Sequence, residues 1–442
     1  MSELVVRGGW LVSPDGVAQA DLEVEAGVIT QVGEVGSGRT EVNAEGLHIF
    51  PGIIDAHVHF NEPGRTHWEG FAPGSAALAA GGGTVFFEMP LNAHPPLLTP
   101  AEFATKRAAA ERSSLTDFAL WGGLTPDNLG ELEALAACGV VGFKAFMADS
   151  GIPEFRAVDD VMLLEGMQKA AALGLPVAVH AESESLTKTL SAKIRGAGGR
   201  GVADYLASRP VVAELEAVQR ALLFAEETGA DLHVVHVSTA RGVALVREAA
   251  SRGVRATCET CPHYLYFSED DLLRRGAALK CAPPLRAEGE RKALLEVLSD
   301  LELIASDHSP APPKLKTSPD FFEVWGGISG VQATLGALLG LGVLPKEVAR
   351  LTALGPAERF RLKNKGRLEP GFDADFTLVD LNETTLLDET TLLTRYKDGA
   401  YSGETLQGRV RATYLRGQKI IADGEVVAAP SGKLITPERT FF

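Results

Sequence analysis

Cysteine is scarce: four residues (Cys138, Cys258, Cys261 and Cys281) in a chain of 442 are too few for a disulfide scaffold and fit a reducing compartment. Positive charge is in the minority too. Forty-two Lys and Arg stand against 58 Asp and Glu, a formal charge of −16 with no block of either sign, so nucleic acid and anionic membranes are poor partners. Long apolar runs are missing, since the longest, from Leu335 to Leu344, is short and interrupted by glycine and does not span a bilayer. The start of the chain has no basic segment leading into an apolar one, and a soluble cytoplasmic protein is expected. No G-x-G-x-x-G follows the first apolar strand of the central region, which argues against an open doubly wound sheet.

What is present is a 45% hydrophobic chain, enough to bury a substantial core. Its first fifty residues alternate polar and apolar positions between glycine turns, as in LVVRGGWLVS and ADLEVEAGVITQVGE. The last stretch, with DADFTLVDL, ATYLRGQKII and GEVVAAP, reads the same way, so residues 1–50 and 363–442 are expected to meet in one small β domain. Between them, over 51–362, strand-length apolar runs alternate with Ala/Leu/Glu-rich helical segments. The runs are IIDAHVHF (53–60), TVFFEMP (84–90), DFALWGGL (117–124), VVGFKAFM (140–147), PVAVHAE (176–182), DLHVVHVS (231–238), RATCETCPH (255–263) and LIASDHS (303–309). Eight β/α units are what a closed (β/α)8 barrel requires, and such a barrel carries its chemistry at the C-terminal ends of its strands.

The polar residues fall there. His57 and His59 are placed at the end of strand one, Lys144 at the end of strand four, His180 of five, His236 of six and Asp307 of eight. Residues i and i+2 of a strand share a face about 6 to 7 Å apart, so His57 and His59 can converge on one ion. His180 and His236 each sit in an apolar run that offers a buried imidazole little else to bond, and a divalent cation is a common partner. His233 has the opposite strand parity to His236 and reads as structural. Lys144, inside an apolar run, has three options: to snorkel out, to pair with an acid, or to lose its charge to desolvation. As a free amine it forms a Schiff base or adds CO2 to give a carbamate; the neighbouring histidines and aspartate favour the carbamate, a bridge that imidazoles cannot supply. Asp307, in SDHSP, reads either as a turn or N-cap residue or as a ligand and general base. The C-x-x-C of Cys258 and Cys261 lies in a β-like run and reads as two core thiols.

The segments PGIIDAHVHFNEPGRTHWEGF, EMPLN, GFKAFM, VHAESE, VVHVST, ETCPHYL, KCAPPLR, SDHSP, VWGGISGVQ and KGRLEPGFDADF follow in order along nearly the whole chain. Together they resemble the cyclic amidohydrolases of the amidohydrolase superfamily, and within them the branch that opens the hydantoin ring of allantoin. The resemblance implies a TIM-like barrel over 51–362 joined to a β-sandwich of 1–50 and 363–442, in a homodimer or homotetramer. It implies ring-amide hydrolysis by a hydroxide bridging two divalent cations, zinc first, with manganese, cobalt or iron as alternatives. His57, His59 and Asp307 would hold one cation and His180 and His236 the other, with carboxylated Lys144 bridging both. Asp307 would also act as general base. Asn61 and Asn92, with backbone groups near Ala282, Ser309 and Ser329, would orient the ring and ureido group. Asn61 stands where dihydroorotases carry an Arg for a substrate carboxylate, and Asp149 where hydantoinases and dihydropyrimidinases show a Tyr. Gly83 and Val85 depart from the usual apolar-Thr-Thr pattern. Dihydroorotase or hydantoinase activity is the alternative within the class. A non-catalytic scaffold is the alternative outside it, against which all six ligand positions argue.

Overall fold

The computed structural model describes residues 2–438. Eight short parallel strands form its centre: Ile53–Val58, Gly83–Glu88, Asp117–Leu120 continued by Gly122–Gly123, Phe143–Phe146, Val177–His180, Leu232–Val234, Ala256–Thr260 and Leu303–Ile304. They pair in sequence order. Strand three breaks at Trp121, yet Trp121 N–H donates to the Glu88 carbonyl at 3.0 Å and Gly122 N–H to that of Gly142 at 3.0 Å, so both neighbours stay attached. The ring closes where His59 N–H donates to the His308 carbonyl at 2.7 Å and Val58 pairs with His308. Every strand residue from Ile53 to Val58 and from Gly83 to Glu88 is buried, which is why these segments read as continuous apolar runs and not as alternating ones. Phe360 closes the cluster inside the ring, edge-on to Phe87 and Trp121 at 5.0 and 5.4 Å.

Helices cover the ring, with ends that local chemistry explains. Asp159 and Thr239 accept the N–H of Met162 and Gly242 with their side chains at the starts of Asp160–Ala172 and Ala240–Ser251. Gly139 and Gly229 take left-handed conformations after Leu132–Cys138 and Val211–Thr228. Helices Pro100–Ser113 and Glu184–Gly196 lie after strands two and five.

The strands are shorter than their apolar runs, and this moves the polar residues. His59 lies just past strand one; His236 and Asp307 lie two and three residues past strands six and eight, with φ of 42° and 45°. A residue in that conformation leaves the ladder, so strand parity does not govern His236. Lys144 is the second residue of strand four, opposite Ala178 and Gly123, and does not end it.

Among the described residues, the N- and C-terminal parts build one nine-stranded sheet. Ser2–Ser13 pairs with Gly16–Glu25 on one side; on the other its first half pairs with Gly38–Asn43 and its second with His48–Pro51. The C-terminal part joins there, with Phe376 opposite Pro51 and Leu378 opposite Ile49. The tail departs from this sheet. Phe118 N–H donates to the Lys433 carbonyl at 2.9 Å and Ile435 N–H to that of Phe118 at 2.7 Å, laying it along barrel strand three.

Candidate metal centre

At the C-terminal ends of the barrel strands, His57 Nε2 and His59 Nε2 lie 3.2 and 3.3 Å from the same oxygen, Asp307 Oδ1. The far nitrogens decide what these atoms offer. His59 Nδ1 donates to the Leu91 carbonyl at 2.9 Å, and His57 Nδ1 lies 2.6 Å from Glu259 Oε1. Burial opposes the Glu259 charge, but His57 and His233 outweigh it and hold that carboxyl at about 2, while burial lowers the His57 imidazole. The His57 proton therefore sits on Nδ1 and its Nε2 presents a lone pair. Burial likewise opposes the Asp307 carboxylate, but His57, His59 and His236 keep it well below the usual carboxyl range. The donor atoms of His57, His59 and Asp307 all lie within 4.8 Å of one another. Lone pairs facing one another in a buried site call for a cation.

A second group adjoins the first. His180 Nδ1 faces His236 Nε2 at 3.1 Å, and the His57 and His236 rings are 5.5 Å apart. His180 Nε2 is held by Glu182 Oε2 at 2.9 Å, and its ring stacks on Phe146 at 4.6 Å. Glu182 also binds the Arg209 guanidinium; against the cost of burial, Arg209 and His180 keep its carboxyl at about 2. Lys144 sits beside both groups. It is fully buried, its Nζ has no hydrogen-bond partner, and burial lowers its amine to about 8 despite Asp307 and Glu259. An unpartnered buried amine is costly unless chemistry uses it.

These six side chains open on one cavity of about 360 Å³. Asn92, Ala282, Ser309 and Asp149 also line it, with Asn92 Nδ2 donating to Ser309 Oγ at 3.2 Å. Asn61 and Ser329 stand apart from that wall. Asn61 is fully buried, its Nδ2 donating to the Pro310 carbonyl at 3.3 Å and its Oδ1 without a partner. Ser329 faces a separate small cavity with Tyr401 and Gly399. Of the nine described non-glycine residues with positive φ, Asn92, His236 and Asp307 line this cavity and Asn61 lies two residues after His59, so backbone strain gathers around this site.

His233 bonds Thr257 Oγ1 at 2.9 Å and Glu259 Oε2 at 3.1 Å, away from the cavity wall. Cys258 and Cys261 are buried free thiols. Sequence reasoning missed Glu182, Glu259 and Arg209. The signal was available: Glu259 is the one charged residue in the strand ATCET, an anomaly like the one that singled out Lys144.

The amidohydrolase family model matches residues 48–420. An allantoinase of Solibacter usitatus (strain Ellin6076) is 53% identical over 99% of this chain and 98% of its own length. One of Deinococcus radiodurans is 53% identical over 98% of this chain and 99% of its own. Among solved structures, the L-hydantoinase (dihydropyrimidinase) of Arthrobacter aurescens is similar with a TM-score of 0.95 and 34% identity, covering 99% of this chain and 100% of that one.

Proposed function

The chain belongs to the amidohydrolase family, and from that premise we propose that it hydrolyses the hydantoin ring amide of allantoin to allantoate. The observation that carries the chemistry is the convergence of His57, His59 and Asp307 beside the unpartnered amine of Lys144 on the wall of one cavity. Full-length likeness to allantoinases supports the substrate.

The donor set fits two divalent cations. His57, His59 and Asp307 would hold one, His180 and His236 the other, and Lys144, after its neutral amine adds CO2 and releases a proton, would supply a carbamate oxygen to each. When bound, such ions polarise the scissile carbonyl and bring a water's pKa towards neutrality. Zinc leads this reading, with manganese, cobalt and iron also suited to mixed imidazole and carboxylate donors. Asp307, ionised at neutral pH, accepts the proton of the attacking water and returns it to the ring nitrogen as the C–N bond breaks. Asn92 and Ser309 offer polar groups to the ring and ureido substituent from the cavity wall, with the Ala282 backbone beside them. Asn61, outside that wall and bonded to the Pro310 carbonyl, brings no positive charge of its own for a substrate carboxylate. The same reading takes 51–362 as a catalytic barrel and 1–50 with 363–442 as a β-sandwich, in a cytoplasmic homodimer or homotetramer.

Hydantoinase activity is the second reading, favoured by the structural likeness to the Arthrobacter aurescens enzyme. Metal analysis beside a panel of allantoin, hydantoin and dihydroorotate separates them. Allantoin is expected to give the highest kcat/KM; a higher value for hydantoin or dihydroorotate overturns the assignment.

A further inference from the structure

The two halves of the centre are backed by different second partners. Behind His57, Glu259 places its other oxygen on His233, a neutral imidazole at 3.1 Å. Behind His180, the same oxygen of Glu182 that accepts the imidazole proton also binds Arg209, a full cation. The carboxylate behind His57 thus keeps most of its charge for the imidazole and what that imidazole holds. The one behind His180 divides its charge with a guanidinium that itself lines the cavity. The remaining ligands widen the difference. The first half includes the Asp307 carboxylate, and His59 is anchored to the Leu91 carbonyl. In the second half there is no carboxylate ligand of its own, and His236 Nδ1 is buried without a partner to orient the ring or raise its basicity.

We propose that Glu182, clamped between His180 and Arg209, is a positioning residue whose support of His180 is reduced by Arg209, which leaves the His180/His236 half the weaker cation site, so that the centre fills and empties in two unequal steps. This rests on the two-cation reading given above. Glu182 holds the His180 proton on Nε2 and so turns the Nδ1 lone pair towards His236. Arg209 offsets that carboxylate and sets how far it strengthens the imidazole. Loss of such an outer partner typically costs about 10 to 100-fold in metal affinity.

The test titrates the metal-loaded enzyme with a chelator and counts zinc retained per chain by elemental analysis. Wild type is expected to release one equivalent before the other. In Glu182→Gln the early equivalent leaves at about 10 to 100-fold lower chelator with the late one unmoved. In Glu259→Gln the late equivalent shifts instead. Arg209→Gln provides the opposite sign: with Glu182 no longer offset, the early equivalent is expected to be held several-fold more tightly. Damage to the fold would loosen metal in both the Glu182 and Arg209 variants, so opposite shifts separate positioning from damage. Simultaneous loss of both equivalents in wild type, or a Glu182→Gln shift shared by both, overturns the proposal alone. A wild-type chain that never takes up a second cation overturns the two-cation reading and this proposal with it.

Discussion

Lys144 and Lys365 are both buried, one with its amine at the cavity and the other at the N-terminal end of strand three, and their amines move in opposite directions. Lys144, in strand four, finds no hydrogen-bond partner, and burial lowers it to about 8. Lys365 meets Asp117 at 2.8 Å, Asp373 at 2.8 Å and Asp375 at 2.6 Å; burial opposes its charge, but the three carboxylates outweigh burial and raise it well above the usual lysine range. Asp117 opens strand three and also binds the Arg416 guanidinium and, at 2.9 Å, Lys433 N–H, so one residue ties the barrel to the terminal sheet and the tail. Buried charge at that end is spent on holding parts together. At the other end His57, Asp307 and Lys144 are assembled with lone pairs and an amine left over, and the backbone is strained around them. Groups shifted without a structural partner mark the reactive end.

The largest expected effect falls on Lys144. Lys144→Ala should lose bound metal, with turnover dropping to the assay background, and a short carboxylic acid should restore part of both. Lys144→Met, which keeps the volume and the packing on Phe146 and removes the amine, should leave the metal-free protein at least as stable as wild type in denaturant, because no native hydrogen bond is lost. A marked loss of stability would show a structural partner for the amine and erase the contrast with Lys365. Asp307→Asn should come next. Asn still coordinates through its oxygen but accepts no proton at neutral pH, so most metal should remain while kcat falls about 10² to 10⁴-fold. Near wild-type turnover with full metal would remove the proton transfer from Asp307.

Lys365→Met tests the other end. Breaking a buried ion pair by removing one partner costs about 3 to 5 kcal/mol, so denaturation should show a loss of that order, while kcat per folded molecule stays within about twofold. The pH dependence follows from the raised amine. A lysine whose folded value exceeds its unfolded one contributes its stability in full below the unfolded value, about 10.4, and loses it as pH rises towards the folded value. The gap between wild type and Lys365→Met should therefore be flat from pH 6 to pH 9 and shrink above about 10.4. A gap that closes near neutrality would mean that the ion-pair network is not what holds this end.

Eight apolar runs were legible because strands buried on both faces read as uninterrupted Val, Ile, Phe and Ala. Their ends were not. Apolar character continues through VVHVS and LIASDH after the ladder has stopped, and the positive φ of His236 and Asp307 just beyond it is something no periodicity records. The six residues expected to hold metal carried their own chemical signals, and the structure gathers them on one cavity wall. Their supports were harder to read. Glu259 lies 202 residues from His57, and Lys365 lies 248 from Asp117, so the partners that fix one ring's tautomer or dock one sheet are invisible until the chain is folded. Ser329 shows the reverse case, a residue expected beside the substrate that the structure places on a separate cavity. Its WGGISG motif includes residues that line the catalytic cavity, but between Gly327 and Ser329 the chain passes to a different cavity.

That short passage sets up the smallest expected effect and bounds how far the reactive end extends. Ser309 accepts the Asn92 Nδ2–H at 3.2 Å, and both residues line the catalytic cavity. Ser309→Ala removes this acceptor and frees the amide to swing away from the direction in which it now points. One neutral hydrogen bond is worth about 0.5 to 1.5 kcal/mol, which converts to a rise of about 2 to 10-fold in KM for allantoin if the amide contacts substrate. Metal content and kcat should hold, since neither residue is among the six donors. Ser329→Ala changes a side chain that faces Tyr401 and Gly399, and it should leave KM and kcat within about twofold, as surface and remote substitutions do. Parallel Michaelis curves decide between the two positions. Equal increases in KM would show that the wall reaches Ser329, and an increase confined to Ser329→Ala would shift the substrate contacts away from the Asn92–Ser309 pair altogether.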